Sequence, residues 1–304
     1  MIEQITSWTK HIPFTKYIPV AFVLLWATGF IGARYAMPYA EPFAFLSLRF
    51  VATLIILGLF LLFTKAKWPN KTSTFYALLT GAFIHTIYLG SVFWAIKKGL
   101  PAGYAGIIVG LQPIITAILA VQIIGDRIAK TQIFGLIIGL IGVSMVILPN
   151  IPANENTNII FNAFVVFAGV VFFSLGAILQ KKHANSETLI STIWLQYLGA
   201  LALSLPIALM FETFAFEWNG ELIFAFIWLV LVLSIGAILL LMVMIKAGEA
   251  TKVASYFYLV PAITAILAFI LFGENLNLVQ LVGMLITTIG VALATVLVKK
   301  QHNQ

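Results

Sequence analysis

The chain has 304 residues, 62% of them hydrophobic and only 9% charged, with a mean hydropathy of +1.08. A soluble domain carries about 25% charged residues, so this chain cannot clothe a water-facing surface and reads as a multi-spanning membrane protein. The lack of cysteine excludes disulfides, thiolate catalysis and Cys-ligated metals. The net charge of +7 comes from Lys and Arg set singly or in pairs between apolar runs, a topology signal rather than a nucleic-acid surface.

In chain order, residues 1–16 hold Glu3, Lys10, Pro13 and Lys16 with no small-residue cleavage site, and are expected to be a cytoplasmic segment before a retained first span. Ten apolar runs then approach the roughly 20 residues that a membrane helix needs. They lie near 17–35, 42–63, 74–96, 101–124, 131–149, 159–180, 188–211, 221–245, 250–272 and 277–298. Helices are the expected structure, because backbone polar groups in lipid must be satisfied within their own segment. With the N-terminus inside, 13 of the 17 cations fall on inner segments and only Arg34, Lys97 and Lys98 on outer ones, with Arg49 inside a span. Both termini are therefore expected in the cytoplasm. A tail, 299–304, follows the last span.

PIITAILAVQIIGD, from Pro113 to Asp126, returns as PAITAILAFILFGE from Pro261 to Glu274. Shifted by 148 residues, 14 of 31 positions are identical between 113–143 and 261–291, including matched Pro, Gly and Gln. Hydrophobic composition alone does not align such residues, so the chain is an internal duplication. The expected units are 17–149 and 159–298, joined by a linker at 150–158. Each holds five spans, an odd number, so the two enter the membrane in opposite senses. The expected fold class is thus an all-α membrane protein of two five-helix inverted-topology repeats, a form that recurs in secondary transporters.

Both halves also share an ordered set of motifs. The first reads W26ATGF, F45LSLR49, G99LPAGYAG, P113IITAILA, G125DR and G135LIIGLIG. The second reads F173SLGAILQK, W194LQ196, E249ATKVAS, P261AITAILA, G273EN and G283MLITTIG. Over roughly 18–298 this pattern resembles the ten-helix, EamA-type branch of the drug/metabolite transporter superfamily. The first half departs from it only in having Asp126 where the acidic turn more often has Glu. The resemblance implies a bacterial inner-membrane carrier, most simply an exporter of amino acids or related small metabolites. It also implies that an arginine at the place of Arg49 is common across substrates, which favours a structural or gating role over carboxylate binding.

Polar groups inside spans are costly and need an account. Arg49 lies a third of the way into the second span; its planar fork suits either a substrate carboxylate or freed carbonyls. His85 is the sole intramembrane histidine, and a coupling proton would travel on it. His85, Tyr88, Ser91 and Trp94 recur every three residues and are expected to share one helix face. Pro113 and Pro261 sit halfway along the fourth and ninth spans, where paired interruptions mark a transporter's site or hinge. Gln112 adds an amide beside the first. Trp26, Gln196 and Tyr256 complete the expected substrate-binding set of His85, Tyr88, Trp94, Arg49, Gln112, Trp26, Gln196 and Tyr256. A packed His–Tyr pair and static packing kinks are the competing readings.

No protein cofactor or metal is expected. The expected partners are a small-molecule substrate, the lipid bilayer and, if transport is coupled, protons; nucleic acid is not a partner and no oligomer is required. Asp126 is the only aspartate, and no HExxH, GxSxG or P-loop motif occurs, so the chain is not expected to be an enzyme. Uptake or exchange of a larger, nucleotide-linked metabolite and an intramembrane enzyme stand as the alternatives.

Overall fold

The computed structural model describes residues 18–64, 66–124, 130–147, 158–183, 188–237, 240, 260–274 and 277–296. They form helices α1 (Ile18–Ala36), α2 (Pro42–Phe63), α3 (Lys71–Lys97), α4 (Ala102–Val109), α5 (Gln112–Ile124) and α6 (Lys130–Ile147) in the first half. The second half contributes α7 (Ile159–His183), α8 (Leu189–Phe211), α9 (Gly220–Ala237), α10 (Val260–Phe272) and α11 (Leu278–Val296). Among the described residues there is no strand, only an isolated bridge between Ala40 and Phe216. The all-α expectation therefore holds. Six segments are long and apolar enough to span a membrane, namely α2, α3, Ala102–Ala120, α7, α8 and α9. Four shorter apolar stretches lie in α1, α6, α10 and α11. Linker residues 150–157, both termini and Asp126 lie outside the described residues.

The outward-facing side chains explain why these helices do not need water. Ile55, Leu62, Phe63, Phe164, Leu209, Phe269, Ile270 and Leu285 are all exposed, as a lipid-facing surface requires. Inside, Phe22, Phe45, Phe50, Phe93, Leu111 and Tyr197 are almost wholly covered.

Two features depart from straight helices. Residues Ala82–Tyr88 of α3 and Trp228–Ala237 of α9 are π-helical. The segments coincide when the halves are superposed at the 148-residue shift. The fourth span breaks at Gly110–Leu111, one turn before the expected kink. Pro113 is the second residue of α5, a first-turn position where a missing N–H does no harm. Pro261 holds the same position in α10.

Contacts between the halves are reciprocal. Helix α6 packs on α11, α2 on α8, α4 on α10, α1 on α9 and α3 on α7. At the first of these, a Cβ on Gly142 would meet Gly283 O and Thr287 N at 2.5 Å. A Cβ on Gly290 would meet Gly139 N at 2.5 Å and Gly135 O at 2.7 Å. Since 142 matches 290, 135 matches 283 and 139 matches 287, each contact is the mate of the other, the relation a two-fold axis produces. Small residues let membrane helices approach this closely.

Carboxylates fasten one end of the bundle across the halves. Glu212 accepts from the Phe43 and Ala44 N–H groups at 3.0 and 2.6 Å, at the start of α2. Glu41 in return accepts from the Thr213 N–H and hydroxyl. Glu274 accepts from the Ala102 and Gly103 N–H groups, both at 3.2 Å, at the start of α4. Glu212 and Glu274 each place a negative charge on the positive end of a helix.

Candidate functional site

The break in the fourth span borders a narrow crevice of about 20 Å³, lined among the described residues by Trp26, Tyr88, Val109, Gly110, Gln112, Phe173 and Val260. Five elements supply these residues: α1, the π segment of α3, the α4–α5 break, α7 and α10. Their order is set by the repeat. Trp26 and Phe173 are mates at a shift of 147, and Gln112 and Val260 at 148, so matched positions from both halves face the same space.

Around the break the polar groups are held by one another. The Gln112 Nε2 donates to Thr116 Oγ1 at 2.8 Å. Thr116 Oγ1 lies 2.8 Å from Gln112 O and 2.9 Å from Ser174 Oγ, tying α5 to α7. Tyr88 meets the Phe173 ring edge-on at 4.8 Å. Pro113 gives Val109 O no N–H, and the amides of Ile114 and Ile115 both turn to Leu111 O, at 3.0 and 3.2 Å. Val109 O and Gly110 O therefore lack helical donors, while Gly106 O, Ile107 O and Ile108 O keep theirs.

Arg49, His85 and Gln196 meet elsewhere, in a buried polar cluster between α2, α3, α8 and α9. Arg49 Nε donates to Ser234 Oγ at 3.1 Å. The His85 ring stacks on Tyr197 at 4.6 Å and 13°, with Phe50 at 6.2 Å. The Gln196 carboxamide faces His85, while its Nε2 has no hydrogen-bond partner among the described residues. Arg49, Gln196 and Ser234 are 6%, 4% and 1% exposed, and no carboxylate shares the cluster among the described residues.

The structure thus divides the expected set. Trp26, Tyr88 and Gln112 line the cavity; Arg49, His85 and Gln196 do not. Trp94 sits apart from both, edge-on to Phe161 at 6.1 Å and under the Lys98 ammonium at 5.9 Å. Tyr256 lies outside the described residues. The shared face expected of His85, Tyr88, Ser91 and Trp94 fails at its first member. Tyr88, Ser91 and Trp94 turn toward α7, where Ser91 packs on Gly169, but His85 turns toward α8. The π segment between them bonds i to i+5, and so advances the chain by less per residue than an α-helix. Sequence reasoning left Phe173, Gly110 and Val260 out of the substrate-binding set, while the freed carbonyl near Val109 follows from Pro113. The pairing of Trp26 with Phe173 in the repeat alignment was the signal that points to the first.

An all-helical bundle rich in lipid-facing side chains, holding a cavity between like halves, defines a membrane transporter of small molecules. The match to a family is specific: the EamA-like transporter family aligns twice, over residues 17–148 and 160–296, and the chain belongs to it. Among its relatives is the uncharacterized transporter YvbV of Bacillus subtilis (strain 168), 26% identical over 96% of this chain and 95% of that one. The uncharacterized inner membrane transporter YedA of Escherichia coli (strain K12) is 23% identical over 90% and 88%. A solved crystal structure, 19% identical, superposes with a TM-score of 0.63 over 93% of this chain and 97% of its own, a likeness of fold.

Proposed function

We propose that the chain crosses a bacterial inner membrane ten times, with both termini in the cytoplasm, as two inverted repeats over 17–149 and 159–298. In this reading it moves a small metabolite by alternating access, as an exporter of amino acids or related compounds. The observation that carries this is the lining of the cavity by matched positions of the two halves, Trp26 with Phe173 and Gln112 with Val260. A site on the relating axis can face either side as the halves exchange shapes. Pro113 and Pro261 are the hinges, since each opens a helix without requiring an N–H. One copy supplies every described lining residue, so in this reading no oligomer is needed. Among the described residues the lining holds no Lys or Arg, which favours a small metabolite over a nucleotide-linked one.

Metabolite profiling of spent medium, with and without overproduction of the protein, tests the reading. Amino acids or their derivatives rise in the medium; an unchanged profile refutes export. A vesicle assay with and without a pH gradient then decides whether protons are coupled. Orientation is checked separately in this cysteine-free chain. A membrane-impermeant maleimide should label Lys98→Cys, but not Lys182→Cys, in intact cells.

A further inference from the structure

Helix α4 is a short rod, fixed at one end and caught at the other. Its C-terminal residue, Val109, borders the crevice at the Gly110–Leu111 break, where Pro113 leaves two carbonyls without helical donors. A chain interrupted in this way bends at the interruption. The N-terminal end of α4 lies about 10 Å away. There Glu274 accepts from the Ala102 and Gly103 N–H groups, both at 3.2 Å. Gly273, at φ +65°, makes the turn that carries Glu274 off the end of α10. The same carboxylate lies 3.9 Å from Arg34 Nε of α1. The Arg34 guanidinium and the Tyr35 ring both cover Phe272, at 5.6 and 5.0 Å. Gln280 of α11 donates to the Tyr104 hydroxyl on α4.

Between break and catch, α4 runs against α10 along small residues. A Cβ on Gly106 would meet Thr264 at 2.9 Å, and one on Gly103 would meet Ala265 Cα at 3.6 Å and Ala268 Cβ at 3.8 Å. Val109 and Val260 stand at the crevice end of this seam. Small side chains present no knobs to disengage when two helices part, so charge-assisted bonds at the far end are what hold the seam shut. Helices α1, α4 and α10 pack pairwise, and all three line the crevice. Glu274 therefore ties together three walls of the crevice at one end. We propose that α4 is the leaf of the outer gate, hinged at the Gly110–Leu111 break and latched by Glu274. This rests on the transport reading above, in which Glu274 lies on the outer side. Arg34 is 43% exposed, so its ion pair contributes less than the two amide bonds.

The test requires no knowledge of the substrate. In this cysteine-free chain, Val109→Cys places one thiol at the crevice. At about 20 Å³ the shut crevice is too small for a trimethylammonium-ethyl methanethiosulfonate reagent, which does not cross membranes. In intact cells, Glu274→Gln should speed labelling of that thiol at least tenfold, and Arg34→Gln about threefold. Glu212→Gln, which alters the cap of α2 at the same end of the bundle, should change it less than twofold. Separately, Gly103→Cys/Ala268→Cys should oxidise to a disulfide, as a Cβ spacing of 3.8 Å allows, and Glu274→Gln should slow that oxidation severalfold. The latch is refuted if neither Glu274→Gln nor Arg34→Gln speeds the labelling, if Glu212→Gln speeds it equally, or if the cysteine pair does not cross-link. With Lys98→Cys still labelled from outside, those results leave the transport reading standing. If Lys98→Cys itself is not labelled, the orientation falls and takes the outer gate with it.

Discussion

Replacing Gly81 by alanine probes the closest approach between α3 and α8. A Cβ there would lie 1.8 Å from Gln196 O, and one on the opposing Gly199 would lie 2.1 Å from Leu78 O. Ordinary contact begins at 3.4 Å, and the obstruction is backbone, which cannot swing aside. The helices must part by about 1.6 Å, enough to forfeit half or more of the attraction between atoms that touch across the seam. Overpacking of this kind costs about 3 kcal/mol, and alanine's better helix propensity returns about 1 kcal/mol. The net loss of about 2 kcal/mol corresponds to a melting temperature lower by roughly 4–8 °C. Thermal unfolding of the detergent-purified protein, followed by intrinsic fluorescence, measures it. Gly220→Ala is the matched control, since nothing lies within 4 Å of a Cβ at that position. The double variant Gly81→Ala/Gly199→Ala should lose less than the sum of the singles, because the first substitution already widens the seam. If Gly81→Ala melts within about 1 °C of the wild type while Gly220→Ala behaves the same, the close packing of α3 on α8 is refuted.

Two further predictions concern charge. Arg49→Ala removes the bond that ties α2 to Ser234 of α9; stability should fall by about 1.5–3 kcal/mol in chemical unfolding, with membrane insertion intact and flux reduced, and normal values of both would refute a role for the cluster. Burial raises the pKa of Glu212 above the ordinary carboxylate range, against the pull of the Phe43 and Ala44 amides. A carboxyl raised in the folded state binds more protons there than in the unfolded state, so its contribution is present at low pH and lost as pH rises through the folded value. Glu212→Gln keeps an acceptor for the α2 amides and removes the titration; its melting temperature should fall less than the wild type's between pH 4 and 7, and parallel pH profiles would refute the assignment.

Much of this architecture was legible in the sequence, and the illegible parts have physical reasons. The span pattern follows from the length of apolar runs, and the duplication from glycines and prolines that hydrophobicity does not align. The break before Pro113 follows from the missing N–H. The π segments left no such trace: AFIHTIY and WLVLVLSIGA carry no residue that demands i to i+5 bonding. The face given to His85 was therefore read with the wrong period. The partners of Glu212 and Glu274 were also hidden, because they lie 168 to 172 residues away and only the assembled bundle brings them together. Arg49 is the instructive case. Its depth in the span marked it as functional, yet its partner is a serine on α9, a contact no local pattern announces.

The two π segments carry a historical consequence. A π turn arises when one residue is inserted into an α-helix, and it persists only where the surrounding packing tolerates it. Ala82–Tyr88 and Trp228–Ala237 occupy equivalent places in the two repeats, although their sequences now share little. One insertion before the duplication accounts for both; two independent insertions at the same place would be needed otherwise. On that account the bulge is older than the joined chain. What evolved afterwards is the difference between the copies. Of the two bulges only the first reaches the cavity, through Tyr88, while its twin holds Ser234 against Arg49 in the other cluster.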